Sequence, residues 1–235
     1  MATLFEAWQG VQSRIDAAST ACGRKATEIT LLAVSKTFPA ADVRALYAAG
    51  QRAFGENYAQ ELQQKHAELS DCPELIWHFI GPLQSNKTRM VAECATWVHS
   101  IERLKIAERL SQQRPAQLPP LQLCLQVNVS GEASKSGVSP EELLPLAQAI
   151  SQLPRVQLRG LMCIPEATLD TVKLAKQFEM LKQCQLMLQA PGLALDTLSM
   201  GMSGDMDLAI AHGSTLVRVG TAIFGTRHYP TQEAE

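Results

Sequence analysis

The feature that most constrains the fold of this chain is a regular alternation of short apolar runs and longer helical patterns. The first run, residues 29–35, has the sequence ITLLAVS, which is typical of a strand buried on both faces of a sheet. A segment with helical spacing follows it, and the same order recurs along the chain. No turn signal joins two neighbouring runs as a hairpin, so the strands are predicted to be parallel.

The alternation predicts eight strands with helices between them. Eight strand–helix units in 235 residues fit a single α/β domain, residues 1–235, folded as a closed (β/α)8 barrel of the TIM type. A doubly wound open sheet is the alternative, but no G-x-G-x-x-G motif follows the first strand. An amphipathic helix is predicted at the N-terminus. The predicted strands are residues 29–35, 52–55, 75–81, 96–99, 121–129, 158–164, 197–200 and 216–219.

Composition and charge exclude several classes of function. The formal net charge is −2, so no basic excess indicates a nucleic-acid surface. No run approaches the roughly 20 apolar residues of a membrane span. The first residues also lack the basic start and apolar core of a signal peptide, so a cytoplasmic protein is expected. The six cysteines show no C-x-x-C spacing and the five histidines are scattered, which predicts reduced thiols and no metal site.

Polar residues stand at the ends of the predicted strands, where barrels of this kind place their sites. Lys36 ends the first run, in the sequence VSK. Partial desolvation at a barrel mouth disfavours the ammonium form and leaves an amine available for Schiff-base chemistry. The alternative is a rim lysine whose head stays in water. Further polar candidates near strand ends are Glu56, Asn57, Gln84, Asn86, Lys87, Ser100, Asn128, Ser199 and Ser203.

Small-residue loops follow the last two predicted strands. The eighth strand leaves through LVRVGTAIFG, where Gly220 lets the backbone approach a ligand and Thr221 offers a hydroxyl. The loop after the seventh strand, GMSGDMD, contributes Gly201, Ser203 and Gly204. These two loops frequently bind phosphate in barrels, so a phosphate site is predicted here.

Three strand residues each keep two interpretations. Arg218 either forms an ion pair with Asp205 or Glu56 or faces a ligand, because a buried arginine is costly unless it is paired. His78 and His99 are each either hydrogen-bonded core residues or site residues.

Six segments together resemble one known family. They match in order and over nearly the whole chain, and the family is that of the YggS/PROSC pyridoxal phosphate homeostasis proteins. This family is similar to the barrel domain of alanine racemase, a fold-type III architecture for pyridoxal 5′-phosphate (PLP). The segments are LLAVSKT (31–37), FGENYAQE (54–61), WHFIGPLQSNK (77–87), SKSG (134–137), RGLMCIP (159–165) and LSMGMSGDMDLAIAHGSTLVRVGTAIFG (198–225).

The resemblance implies a PLP site at the barrel mouth. Lys36 would form the aldimine with PLP, and Arg218 would face the pyridine nitrogen. An arginine stays protonated, so it would keep that nitrogen unprotonated and weaken the ring as an electron sink. Ser203, Gly220 and Thr221 would hold the phosphate. The ring pocket would be completed by Asn57, Ile80, Ser199 and Met200.

The resemblance further implies a PLP carrier or regulator without turnover, which buffers or delivers PLP. A racemase needs a second acid/base opposite the lysine. Alanine racemases take it from a second domain that this sequence is not expected to have, and the tyrosines at 47, 58 and 229 offer no substitute.

The alternatives are a PLP-dependent amino-acid racemase or lyase that uses His78 or His99, and a phosphate-binding barrel without PLP. A second PLP site on a surface lysine such as Lys87 also stays open. The expected partners are PLP and PLP-dependent apo-enzymes, with no nucleic acid and no membrane, and a monomer is expected.

Overall fold

A computed structural model gives the structure of the protein and describes residues 3–132 and 136–226. Ser134 and Lys135 of the SKSG motif, and Tyr229, lie outside the described residues. The assignment of residues 1–235 to one domain stays a prediction.

The described residues form eight strands and nine α-helices, with 3₁₀ turns at Ala26–Glu28 and Ser85–Lys87. The strands are β1 (Thr30–Val34), β2 (Ala53–Glu56), β3 (Ile76–Phe79), β4 (Trp97–Ile101), β5 (Leu121–Gln126), β6 (Val156–Met162), β7 (Thr197–Ser199) and β8 (Leu216–Val219). The helices are α1 (Leu4–Ala21), α2 (Ala40–Ala48), α3 (Ala59–Glu68), α4 (Thr88–Cys94), α5 (Leu104–Gln113), α6 (Pro140–Ser151), α7 (Thr171–Gln189), α8 (Met206–Ala211) and α9 (Thr221–Phe224).

The strands pair in chain order and close into a barrel. Every neighbouring pair is parallel, and β8 returns to β1 with Thr30 opposite Leu216 and Ala33 opposite Val219. The predicted (β/α)8 barrel is therefore confirmed, and the open sheet is excluded. Parallel strands buried on both faces need the continuous apolar runs that the sequence provides.

Most strands begin or end at other residues than predicted, and two of these differences concern candidate site residues. The strand β4 continues to Ile101, so His99 and Ser100 lie within it rather than after it. The predicted strand at 121–129 ends at Gln126. Beyond Gln126 the chain pairs with Val138, which donates its N–H to the Gln126 carbonyl at 2.9 Å and accepts from the Asn128 N–H at 3.0 Å.

The helix α1 lies outside the eight repeats and packs against α2, α8 and α9. Thr3 and Glu6 form a capping box at its start. Arg14 Nη1 donates to the Ser203 carbonyl at 2.7 Å, and its Nε donates to the Asp207 carboxylate at 2.8 and 3.0 Å. The N-terminal helix therefore holds the loop that follows β7.

Gly10 lies in the interior of α1, where glycine is a poor helix former. A Cβ added to it would meet no atom within 4 Å. Gly10→Ala should therefore raise the free energy of unfolding by about 1 kcal/mol, measured by chemical denaturation. Gly23→Ala is the matched control just past the same helix: it is equally open but has a φ of +71°, so alanine there should destabilise the fold. A gain at both positions would contradict the helix argument.

Three further observations on the described residues concern membrane-spanning helices, metal ligands and cysteines. No helix among residues 3–132 and 136–226 is long and apolar enough to cross a membrane. Those residues contain no group of three or more His, Cys, Asp or Glu that could hold a metal ion. All six cysteines carry free thiols.

Candidate functional site

A cavity of about 240 Å³ opens at the carboxyl ends of the strands. Its walls come from the ends of β1, β2 and β3 on one side and of β6, β7 and β8 on the other. This is the face on which (β/α)8 barrels carry their sites. The lining residues are Val34, Lys36, Asn57, Ile80, Ile164, Met202, Ser203, Gly204, Arg218, Gly220 and Thr221.

The structure brings seven of the nine predicted site residues together around this cavity and leaves two beneath it. Ser199 and Met200 are fully buried. The Ser199 hydroxyl is directed into the barrel interior, while Met200 packs into the hydrophobic core. The seven lining residues are Lys36, Asn57, Ile80, Ser203, Arg218, Gly220 and Thr221.

Lys36 is half-buried and lies two residues beyond the end of β1. The segment that carries it, Ser35–Lys36–Thr37, is bonded to residues from β2 and α3. Ser35 Oγ donates to Glu56 Oε1 at 2.6 Å, and the Thr37 N–H donates to Glu61 Oε1 at 2.5 Å. The lysine therefore projects into the cavity from a segment that is held on both sides.

A buried ion-pair cluster lies behind that segment. Lys65 Nζ donates to Glu56 Oε1 and to Glu61 Oε1, both at 2.8 Å, and to the Ser35 carbonyl at 2.7 Å. Burial raises the pKa of Glu56 from 4.5 to about 7, against the opposing effects of Lys65 and Ser35. Desolvation is therefore the largest influence on this carboxyl.

Arg218 forms the floor of the cavity and is 5% exposed. Its Nη1 donates to the Ser199 carbonyl at 2.6 Å and to Ser199 Oγ at 2.9 Å, and its Nη2 donates to the Cys163 carbonyl at 2.7 Å. Burial lowers the pKa of Arg218 below its usual value, yet a guanidinium remains protonated in proteins. The arginine is thus a fixed cation held by neutral acceptors.

The ion pairs considered for Arg218 from the sequence do not form. The Glu56 carboxylate is paired with Lys65. Asp205 Oδ1 accepts from the Met202 N–H at 2.5 Å and so fixes the loop after β7. Backbone carbonyls satisfy the guanidinium instead, because the ends of β6 and β7 surround it.

The two histidines form a hydrogen-bonded chain inside the barrel. His78 Nδ1 lies 2.9 Å from His99 Nε2, and His99 Nδ1 lies 2.8 Å from Ser199 Oγ, which also accepts from Arg218. Burial lowers the pKa of His78 to about 3 and holds that of His99 well below 6.5. Both are therefore neutral hydrogen-bonded core residues, and His78 lines a second cavity at the opposite end of the barrel.

The loops after β7 and β8 place small and hydroxyl residues side by side. The Ala222 N–H donates to Ser203 Oγ at 3.4 Å, which links the two loops. Gly201 has a φ of +95°, and a Cβ there would lie 2.6 Å from that of Ala209. This corner of the cavity therefore has the small residues and donors that an anion requires.

Sequence analysis missed three apolar lining residues: Val34, Ile164 and Met202. Ile164 and Met202 are 49% and 39% exposed and continue into a neighbouring groove. An apolar residue at a strand end has the same sequence signal as a core residue, so composition alone does not find it. Lys87 lies in a separate groove with Asn57 and Tyr58.

The cavity residues fit a phosphorylated aldehyde. Asn57 Oδ1 is buried there and has no hydrogen-bond partner within the described part of the chain. An orphaned buried oxygen of this kind indicates a missing donor. The remaining groups are an amine, a fixed cation and two hydroxyls, which together match an aldehyde, an aromatic ring nitrogen and a phosphate.

Comparisons with known proteins show the family of the chain. The chain matches the family described as "Alanine racemase, N-terminal domain" over residues 11–228. A pyridoxal phosphate homeostasis protein of Pseudomonas aeruginosa is 58% identical over 229 residues, which cover 97% of this chain and 98% of that protein. This chain belongs to the family of pyridoxal phosphate homeostasis proteins. The resemblance drawn from the six motifs is confirmed.

Two solved structures are similar to this chain over nearly its whole length. PipY of Synechococcus elongatus, solved with PLP bound, is 40% identical with a TM-score of 0.83, and the match covers 95% of this chain and all of that one (100%). Alanine racemase of Corynebacterium glutamicum is 15% identical with a TM-score of 0.69, over 97% of this chain and 63% of that one. The racemase shares the fold alone.

Proposed function

We propose that this protein binds PLP through a covalent bond from Lys36 and acts in PLP homeostasis by buffering or delivering the cofactor. The observation that carries this proposal is the convergence of a half-buried lysine, a buried arginine and two hydroxyl-bearing loops on one cavity. The name of the Pseudomonas relative and the PLP bound to PipY support it.

Each lining residue has a chemical role in this proposal. PLP supplies an aldehyde, which reacts with amines. Lys36 provides that amine. Arg218 provides a permanent positive charge toward the ring nitrogen and so keeps it unprotonated. Ser203 and Thr221 would donate hydrogen bonds from their hydroxyl groups to the phosphate, and Gly220 would allow close backbone approach.

The same arrangement supports binding without turnover. Proton transfer at a substrate carbon needs a second acid or base facing the lysine. Lys36 and Arg218 are the ionisable groups among the described residues that line the cavity, and an arginine is a poor proton donor at neutral pH. His78 and His99 lie below it, neutral and bonded to each other. We infer a cytoplasmic, monomeric carrier that passes PLP to PLP-dependent apo-enzymes.

Lys36→Ala tests the covalent attachment. The wild-type protein should be yellow when loaded with PLP, and borohydride reduction should fix the cofactor to the peptide that contains Lys36. The variant should show neither the visible band nor the mapped adduct, because alanine has no amine. Lys87→Ala is the matched control and should keep both. An adduct mapped to another lysine in the wild-type protein would contradict the assignment.

A panel of amino acids tests the absence of turnover. The loaded protein should show spectral change without racemised, transaminated or eliminated product. Product that forms with the wild type and disappears with Lys36→Ala would establish an enzyme instead.

A further inference from the structure

The residues on either side of Lys36 are bonded to the same charged cluster. Ser35 is held through its hydroxyl by Glu56 and through its carbonyl by Lys65, at 2.6 and 2.7 Å. On the other side, the Thr37 N–H donates to Glu61 at 2.5 Å. Both anchors meet at Lys65 Nζ, since it also donates to the two carboxylates.

The segment needs such anchoring because its backbone is strained. Thr37 has a φ of +69°, the left-handed region that β-branched residues rarely adopt. Such a conformation persists where surrounding contacts over-determine it, and it tends to occur at functional sites. Here the bond from the Thr37 N–H to Glu61 stabilises the left-handed turn that follows Lys36.

Burying the charges of this ion-pair cluster costs desolvation free energy, which argues that the cluster has a function. The side chains of Lys65 and Glu56 are 5% and 0% exposed, and that of Glu61 is 21% exposed. Buried ion pairs rarely add net stability compared with apolar side chains of the same size. A functional role is thus the stronger explanation for three charges packed behind one short segment.

We propose that Glu61 and Lys65 are positioning residues for Lys36, holding the Ser35–Lys36–Thr37 segment from α3 so that the amine stays directed into the cavity. This inference rests on the proposed function, because it concerns the lysine that binds PLP. Glu61 and Lys65 would act on Lys36 from α3 without lining the cavity themselves.

Glu61→Ala is the sharpest test, since Glu61 contacts the segment and is the least buried member of the cluster. Without the carboxylate, the Thr37 N–H should exchange with deuterium faster in the PLP-free protein. The apparent dissociation constant for PLP, from absorbance titration, should rise roughly tenfold, the equivalent of one charge-assisted hydrogen bond. Borohydride trapping at Lys36 should slow in parallel.

Glu61→Gln is the conservative rescue. Its amide oxygen can still accept from both the Thr37 N–H and Lys65, so exchange and PLP affinity should return close to wild-type values. Asp71→Ala is the matched control: this carboxylate accepts from Arg44 at 2.6 and 2.8 Å on the outer surface. It should leave exchange at Thr37 and PLP affinity unchanged.

The outcomes separate this inference from the proposed function. A wild-type protein that binds PLP at Lys36, together with a Glu61→Ala variant of unchanged affinity and exchange, would overturn the positioning role alone. Glu61→Gln behaving like Glu61→Ala would also overturn it. A wild-type protein without an adduct at Lys36 would overturn the proposed function, and the positioning role with it.

Discussion

Lys65→Met is expected to lower the free energy of unfolding by about 3–5 kcal/mol at alkaline pH, because there it leaves a buried carboxylate without its partner. The Glu56 side chain is fully buried and takes its charge compensation from Lys65 at 2.8 Å. Methionine fills much of the same volume but donates no hydrogen bond. Chemical denaturation of the variant and the wild type would measure the loss.

The loss should depend on pH in a defined direction. Burial raises the pKa of Glu56 from 4.5 to about 7. A carboxyl with a raised folded-state pKa gives its full stability below the unfolded value and loses it as pH rises through the folded value. Removing Lys65 takes away an interaction that lowers this pKa. The deficit of Lys65→Met should therefore be small below pH 4.5 and grow as pH rises through neutrality.

Two further variants test whether the loss of stability in Lys65→Met comes from the unpaired charge of Glu56. Lys65→Met combined with Glu56→Gln removes the uncompensated charge and should recover much of the loss. Arg89→Met removes the cation of an exposed i,i+4 pair, with side chains 69% and 42% exposed, and should change stability by less than about 0.5 kcal/mol. A deficit that is equal for Lys65→Met and Arg89→Met, or independent of pH, would refute a buried charged pair.

Gly81→Ala should damage stability and the cavity together. A Cβ on Gly81 would lie 2.1 Å from the backbone oxygen of Asn57. Hydrogen bonds hold the backbone around Gly81, so it cannot move aside easily. The Gly81 carbonyl accepts from Ser100 Oγ at 2.5 Å, and the Ile80 N–H donates to the Glu56 backbone carbonyl at 2.9 Å. Because backbone is the clashing partner, we expect a loss of about 3 kcal/mol.

The variant should also bind PLP more weakly, since moving Asn57 displaces a lining side chain. Denaturation and absorbance titration would report the two effects separately. Gly204→Ala is the matched control: it lies in the same cavity wall, but an added Cβ would meet nothing within 4 Å. Its stability should stay within about 0.5 kcal/mol of wild type. Equal losses at both glycines would show that the close approach of Gly81 to Asn57 is not what matters.

Local sequence patterns were enough to predict the barrel. The apolar run at 29–35 contains β1, Thr30–Val34, and the run at 121–129 contains β5, Leu121–Gln126. The polar residues that follow such runs converge because parallel strands end on the same face. Lys36 and Asn57 were found by this reasoning alone.

The supporting contacts could not be predicted in the same way. Glu61 and Lys65 show only the i,i+4 spacing of an ordinary solvated helix face, and their partners lie up to 30 residues earlier. Arg218 was correctly placed in a strand, but its acceptors are backbone carbonyls, which no residue type reveals. Long-range pairing of this kind depends on the closed barrel rather than on any local pattern.

The closure between β1 and β8 has a consequence for how the protein is made. The strand β1, which leads to Lys36, pairs with a strand 186 residues later, and Arg14 bonds to the loop after β7 across 189 positions. Closing such long loops is slow compared with forming local contacts. During synthesis on the ribosome, Lys36 is therefore present long before Arg218, which forms the floor of the cavity. A fragment that ends before β8 lacks Arg218 and should therefore bind PLP more weakly than the whole barrel.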